Sequence, residues 1–328
     1  MSRVTIGVLI VVDPTRPMRR PSTQPIGRAA KVLAEHGIDV LIGDRAREGH
    51  MSGFVLDPSA DTWRRVDDVP VAGVYDRYTS QKRPEQHASL LAALGGVPVG
   101  NPEGTTLLCR DKIASQRLLE TVVPMPELLT EHQAYEARLA AWGAGFLKPR
   151  YGAYGRGVTH VTPGDPLPRV GPSTLPEILE PLLLQRAVPA PEGWGGVSVR
   201  QLAQRRPDGS WTLPPAVARR SPTDPVVNVH RGAEPAPAED VLSPATMETL
   251  RAHVTAGCEC LADRDDGGTL LELGWDAVID PAGEPWIIEV NSRPRGRLEC
   301  LAAADPARFE AAHIEACARP LRYLASLR

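Results

Sequence analysis

The chain has 328 residues, 37 basic and 40 acidic, with 42% of them hydrophobic. That length suits two or three small domains with real cores, and the near balance of charge gives no global attraction for nucleic acid or an anionic membrane. No apolar run is long enough to span a bilayer, and residues 4–12 form a strand-length run too short and too poorly flanked for a signal peptide.

Residues 4–12 read as a buried parallel strand, followed by a loop rich in Pro and Arg, a helix over 26–35 ending at Gly37, and a strand over 38–42. This βαβ start predicts an open α/β domain, but its first loop lacks GxGxxG, so no dinucleotide fingerprint is present. A strand over 71–75 ends at Asp76 and Arg77, where open α/β sheets place ligands and where a plain loop start is an equal alternative. Asn101-Pro102 opens a turn, which sets the first domain boundary at 100. A helix is then expected through Leu107, Leu108, Ile113 and Leu118, with Asp111-Lys112 inside it. Thr130 with Gln133 predicts a capping box for a helix reaching Trp142, stopped by Gly143, before a strand over 146–149. Residues 182–188 read as a strand, and 197–205 pair with 211–219 across a turn at 207–210. The Pro/Ala-rich 233–239 reads as a surface loop. Ser243 caps a helix with Pro244 first and Met247, Leu250, Val254, Cys258 and Leu261 on its buried face, and a final helix starts at Asp305-Pro306. The expected organisation is an N-terminal α/β domain over 1–100, a central lobe over 101–190, and a mostly antiparallel α+β lobe over 191–328.

Five cysteines, with no CxxC pair, predict neither a disulfide framework nor a zinc ribbon, and hence a reducing cytoplasm. Only Lys31, Lys82, Lys112 and Lys148 are lysines, against many arginines, so each is a candidate for a site that needs a compact point charge. Lys148 precedes Gly152, Tyr154, Gly155, Arg156 and Gly157. Glycines let backbone N–H groups curl round phosphate oxygens, and a neighbouring lysine adds charge. The order is not that of a Walker A loop, and a Gly-rich hairpin without a ligand is the alternative.

Residues 270–279 and 286–290 flank Pro281-Ala282-Gly283-Glu284, which is hairpin chemistry. A symmetric turn puts Asp276 opposite Glu289, with Asn291 on the same face. Two carboxylates across a ladder repel, so the pair makes sense with a cation between them, and oxygen-only ligands suit Mg²⁺. Solvated residues on an outer face are the competing explanation. By the same alternation Arg200 and Arg219 share a face, and Arg293 shares that of Glu289; arginine forks suit carboxylate and phosphoryl oxygens.

Together, the Asn-Pro turn before Asp111-Lys112, the Lys148 loop, and Asp276 with Glu289-Val290-Asn291 resemble the ATP-grasp superfamily. Asn228-Val-His230-Arg-Gly232, Leu271-Glu-Leu-Gly-Trp-Asp276 and Trp286-Ile-Ile-Glu-Val-Asn-Ser-Arg-Pro294 make the YheC/YheD type the nearest likeness, over about residues 100 to 300. The resemblance implies an ATP-grasp fold with an N-terminal open α/β domain, and ATP between two α+β lobes. Lys112, Lys148 and the loop of Gly152, Tyr154, Gly155, Arg156 and Gly157 would hold phosphates. Gln185, Arg186 and Ala187 would hold adenine and ribose, and Asp276, Glu289 and Asn291 one or two Mg²⁺ ions. Arg200, Arg219 and Arg293 would act on the transferred phosphoryl group or the substrate carboxylate, with Asn228, His230, Asp76 and Arg77 near the substrate. Three positions depart from the pattern: Ser198 stands where an acidic residue is common, Ala233 where a glycine is, and Arg186 leaves the hinge without an acidic ribose ligand, for which Glu192 is a substitute. The resemblance implies an ATP-dependent carboxylate–amine ligase working through an acyl phosphate, possible as a homodimer. The alternatives are an ATP-dependent phosphotransferase and a non-catalytic nucleotide-binding assembly protein.

Overall fold

The computed structural model describes residues 3–13, 15, 23–78, 84–152, 155–172, 179–228, 231–265, 267–294 and 298–327; the sites expected at Tyr154 and His230 lie outside the described residues. The first sheet is built from β1 (Val4–Leu9), β2 (Ile38–Arg47), β3 (His50–Asp57), β4 (Thr62–Pro70), β5 (Gly73–Asp76) and β6 (Val99–Gly100), in the order β4-β3-β2-β1-β5-β6. Parallel pairing joins β1 to β2 and β5, and β5 to β6. β1 is buried on both faces, which is why its sequence is a continuous apolar run rather than an alternating one. Helix α1 (Gln24–Glu35) covers one face through Ile26, Ala29, Ala30 and Leu33, while Leu90 and Leu94, in and just after α2 (Pro84–Ala93), pack on the other. The antiparallel β3–β4 hairpin was not expected. β4 is an edge strand with half-buried or exposed residues throughout, so it carries no apolar signal.

After the turn at Asn101 the chain forms α3 (Glu103–Arg110) and α4 (Lys112–Leu119), not the single helix expected. Asp111 breaks it: its backbone is extended, and its carboxylate accepts from the N–H groups of Ile113 and Ala114 at 3.0 and 3.3 Å. A capping aspartate satisfies donors that α4 would otherwise leave orphaned, and it makes Lys112 the first residue of a helix. Asn101 is itself buried. Its side chain accepts from Leu271 N–H at 2.6 Å and donates to Glu272 O at 2.6 Å, tying this turn to the later hairpin.

The second sheet contains β7 (Leu128–Leu129), β8 (Gly145–Pro149), β9 (Thr159–Val161), β10 (Val170–Pro172) and β11 (Leu179–Arg186), with α5 (Tyr135–Trp142) against it. The capping box at Thr130 does not form, because a 3-10 turn at His132–Ala134 precedes α5. Gly143 ends α5 as expected, in the left-handed conformation with φ 80°.

The third sheet holds β12 (Gly196–Arg205), β13 (Trp211–Thr212), β14 (Val217–Ser221), β15 (Glu234–Pro237), β16 (Glu272–Ile279) and β17 (Pro285–Asn291), in the order β15-β14-β12-β16-β17 with β13 on β12. β15 occupies the stretch expected to be a loop; its prolines are tolerated because it lies on a sheet edge. Helix α6 (Pro244–Ala262) starts on the Ser243 cap, which accepts from Thr246 N–H at 3.1 Å, and buries the expected residues. It approaches the sheet so closely that a Cβ on Gly257 would stand 2.3 Å from the Trp275 ring. The chain ends in α7 (Leu298–Ala304) and α8 (Pro306–Ser326). α8 belongs to two cores: Phe309 and Ala316 pack with Leu202, Val217 and Leu298, whereas Ala318, Leu321 and Leu324 pack with β1 and α1. No helix among the described residues is long and apolar enough to cross a membrane.

Candidate active site

A cleft of about 870 Å³ runs between the second and third sheets and on to the first domain. Its axis follows the β12–β16 ladder, where Ser198 pairs with Val278, Arg200 with Asp276, Leu202 with Gly274, and Gln204 with Glu272. Side chains two apart share a face, and of these residues Ser198, Arg200 and Leu202 on β12 and Glu272, Asp276 and Val278 on β16 line the cleft. From Val278 to Glu272 that is about 20 Å at ~3.4 Å per residue. Ile279 lies beyond Val278 at one end, while Tyr75, hydrogen-bonded to Glu272, and Leu298, packed with Leu202, mark the other; Phe146, Ala187, Ile288, Glu299 and His313 also line the cleft.

Asp276 does pair with Glu289, and Gly274 with Asn291, as the sequence predicts. The turn, however, is not symmetric about its expected centre: Ile279 pairs with Pro285 and Ala277 with Ile287. A bulge beside Asp276 takes up Ile288 and restores the expected register. Bulges re-aim side chains, and here both Ile288 and Glu289 line the cleft. The Asp276 carboxylate is gripped by arginines. Arg200 binds it through two nitrogens, Nε at 2.8 Å, and Arg219 Nη2 reaches Oδ1 at 2.8 Å. Asn291 Nδ2 donates at 3.3 Å. Burial works to raise the Asp276 carboxyl pKa, but the two guanidinium charges outweigh it and hold the group below its ordinary range. Arg200 and Arg219 thus share a face, as expected. Glu289 makes no hydrogen bond or ion pair to a described residue, and its field reaches Lys148 and Arg200.

Across the cleft Lys148 is buried on β8 and donates to Gln185 Oε1 at 2.6 Å. Burial, reinforced by the Lys112 charge, lowers its pKa to about 7, with Glu289 opposing. Lys112 is also buried and donates to Gly152 O at 3.2 Å. The root of the Gly-rich loop is fastened by Arg150, whose Nε donates to Asp111 at 2.9 Å. Gly155 and Gly157 both have positive φ, 68° and 70°, and a Cβ on Gly155 would lie 2.9 Å from Asn228 Nδ2. The structure therefore brings Gly152, Gly155, Arg156 and Asn228 onto the same cleft as the lysines, together with Gln185, Arg186 and Ala187. Glu192 does not line it.

Arg293 sits apart from the Asp276 cluster. It is ion-paired to Asp76 and donates to Tyr78 O at 3.1 Å. Asp76, expected near the substrate, is 1% exposed and does not line the cleft. It also accepts from Tyr78 N–H at 2.9 Å and lies 2.8 Å from His87 Nε2, so it positions Arg293 instead of meeting a ligand. Arg77 does line the cleft, with Nη1 on Pro294 O at 2.9 Å and Glu272 at 3.3 Å. Glu272 also accepts from the Tyr75 hydroxyl and from Gln204 Nε2 at 2.9 Å. Burial raises the Glu272 pKa against the pull of Arg77.

Gln185 Nε2, Ser198 Oγ, Arg219 Nε and Arg293 Nε are buried without a hydrogen-bond partner among the described residues, and all four residues line the cleft. Such atoms fit a polyanionic ligand that supplies acceptors. For a divalent cation the donors also fit: Asp276, Glu289 and Asn291 offer only oxygen ligands on one ladder face, two of them anionic. Among the described residues no group of three His, Cys, Asp or Glu side chains gathers closely enough to hold a metal ion, so this face would rely on two carboxylates and an amide oxygen. Sequence reasoning did not single out Asp111, Arg150, Glu272 or His87 for roles. Each acts by holding another site residue, and no local pattern marks such a partner before the fold brings it near.

This architecture is the ATP-grasp fold. Residues 180–327 match the family model described as YheC/D like ATP-grasp. D-alanyl-alanine synthetase A from Vibrio cholerae O1 biovar eltor str. N16961 is similar over 98% of this chain and 99% of its own, at 16% identity and a TM-score of 0.56. The VanG D-Ala:D-Ser ligase from Enterococcus faecalis aligns over 99% of both chains at 12% identity and a TM-score of 0.59. The ATP-grasp ligase PsnB, complexed with minimal precursor, aligns over 99% of both at 15% and 0.57. At these identities the likeness is one of fold. No curated protein matches the chain in sequence.

Proposed function

We propose that the protein is an ATP-dependent ligase that joins a carboxylate to an amine through an acyl phosphate, releasing ADP and phosphate. The observation that carries this reading is the pair of buried lysines, Lys112 and Lys148, without carboxylate partners among the described residues and across the cleft from Asp276 and Glu289. An arrangement of cations facing acidic ligands suits phosphoryl transfer, where positioning and charge neutralisation do the work.

In this reading the base lies among Phe146, Gln185, Ala187, Ile279 and Ile288, and Lys112 and Lys148 bind phosphate oxygens beneath the loop of Gly152 to Gly157. Asp276, Glu289 and Asn291 would hold Mg²⁺, which when bound would neutralise charge on the phosphates. Arg200 and Arg219 hold the substrate carboxylate in line with the γ-phosphorus. Its oxygen attacks, ADP leaves, and the amine then displaces phosphate from the acyl carbon. Joining the two in water is uphill, which is the reason for spending ATP.

The test is release of ADP and phosphate from Mg·ATP across a library of carboxylic acids, amino acids and short peptides, with product masses read in parallel. Release that needs both a carboxylate and an amine, with an amide product, supports the ligase. A phosphorylated product with no amide would make it a kinase, and nucleotide binding without turnover under any mixture would leave an assembly role.

A further inference from the structure

The cleft is longer than a nucleotide needs, and its far end has a chemistry of its own. Past Arg200, the cleft face of β12 continues with Leu202, and the walls become Ile10 after β1, Ile26 on α1, Leu298 and Glu299 on α7, and His313 on α8. Ile10, Ile26, Leu202 and Leu298 are all buried, which makes the floor apolar.

The charges there are mostly spent. Arg77 is paired with Glu272, and Arg200 with Asp276. Arg28, behind His313, is paired with Glu310 at 3.3 Å. Glu299 is the exception: it forms no hydrogen bond or ion pair to a described residue, while its field acts on Arg200, Cys317 and His313. A carboxylate ligand would be repelled by it. An ammonium ion would meet in Glu299 an anion with no ion-pair partner among the described residues, above an apolar floor and beside two arginines, Arg77 and Arg200, whose charges are already paired.

Resting on the ligase reading above, we infer that the amine co-substrate binds as an ammonium ion with a compact apolar side chain, its nitrogen on Glu299 and its side chain against Ile10, Ile26, Leu202 and Leu298. His313 is compatible with this. Burial lowers its pKa and Arg28 adds to that, against Glu299 and Glu310, so near neutral pH the imidazole presents no competing positive charge.

The probe is leucinamide, which carries an ammonium and an isobutyl group but no carboxylate. Its control is 2-hydroxy-4-methylpentanamide, with a hydroxyl in place of the ammonium. Binding of each to the full chain is measured by ligand-observed NMR, with ATP affinity measured separately. Leucinamide should bind at least about tenfold more tightly than the hydroxy control, and Glu299→Gln should remove most of that difference. ATP affinity should stay within twofold. Equal binding of the two amides, no binding of leucinamide, or an unchanged preference in E299Q would overturn the ammonium site. Because leucinamide binding is read without nucleotide, failure to bind ATP would instead strike the ligase reading and leave this result to stand separately.

Discussion

The two walls of the cleft use positive charge in opposite ways. On the β8 wall Lys148 is buried with a neutral amide for a partner and another lysine beside it. On the β12–β14 wall Arg200 and Arg219 are just as sheltered but already share the Asp276 carboxylate. An unpaired buried cation destabilises the empty protein and is relieved when an anion arrives. A paired one stabilises the empty protein and must be partly released before it can act on a ligand. The same cleft therefore holds one wall poised for a ligand and another poised for the absence of one.

The largest effect expected from disturbing this arrangement is on Glu289, the carboxylate of the proposed metal-binding pair that has no partner among the described residues. Glu289→Ala should lower Mg-dependent ADP release by roughly two orders of magnitude or more, the scale of losing a principal electrostatic group. Its fold and melting temperature should be nearly unchanged, since no pairing is broken. Full activity in the variant would remove the metal assignment.

Next comes Arg200→Ala, which should cost about 3–5 kcal/mol in denaturant unfolding, because it strips a buried carboxylate of its bidentate partner. The sign should reverse on the other wall. Lys148→Met removes an unpaired charge of similar volume, so the ligand-free protein should become more stable while ATP binding weakens roughly 10- to 100-fold, as expected for loss of a charge-assisted contact. The stability gain depends on pH. With a folded pKa of about 7 against an unfolded value near 10.5, the penalty of burying Lys148 is full below pH 7 and vanishes as pH rises through the unfolded value. Melting curves should therefore separate more at pH 6 than at pH 10, and a constant separation would mean that Lys148 is not desolvated. The same logic predicts proton uptake when ATP binds at pH 8, measurable by titration calorimetry in buffers of different ionisation heat and absent in Lys148→Met.

Much of this was legible in the sequence because it rests on short-range rules. Alternation about a short turn placed Arg200 and Arg219 on one face, and an assumed symmetric turn placed Asp276 opposite Glu289. Ser243 and Asp305 announced their helices through capping chemistry. What failed also did so for local reasons. Asp111 sits in a helical apolar pattern, yet its side chain outcompeted helix continuation by capping, and the shift put Lys112 where it faces Gly152. The hairpin register was right at Asp276 because two deviations cancelled, a turn off its expected centre and a bulge at Ile288. The role of Asp76 was hidden because its partners, His87 and Arg293, come from a helix and a loop that only the tertiary fold assembles.

That last cluster gives the mildest prediction and extends the contrast between the walls. Arg293 is prepaired like Arg200, but its carboxylate comes from the first domain and is itself held by His87, which stacks on Tyr78 with ring centroids 5.5 Å apart. His87→Ala leaves Asp76 with Tyr78 N–H and Arg293, so the stability loss should be small, about 1 kcal/mol, the low end for a buried hydrogen bond. If Asp76 serves to aim Arg293, the variant should lose turnover several-fold with ATP affinity unchanged, and His87→Gln, which keeps a donor, should restore part of it. Equal stability loss with undiminished turnover would make the cluster a fastening between the first domain and the loop after β17, with Arg293 playing no part in the reaction.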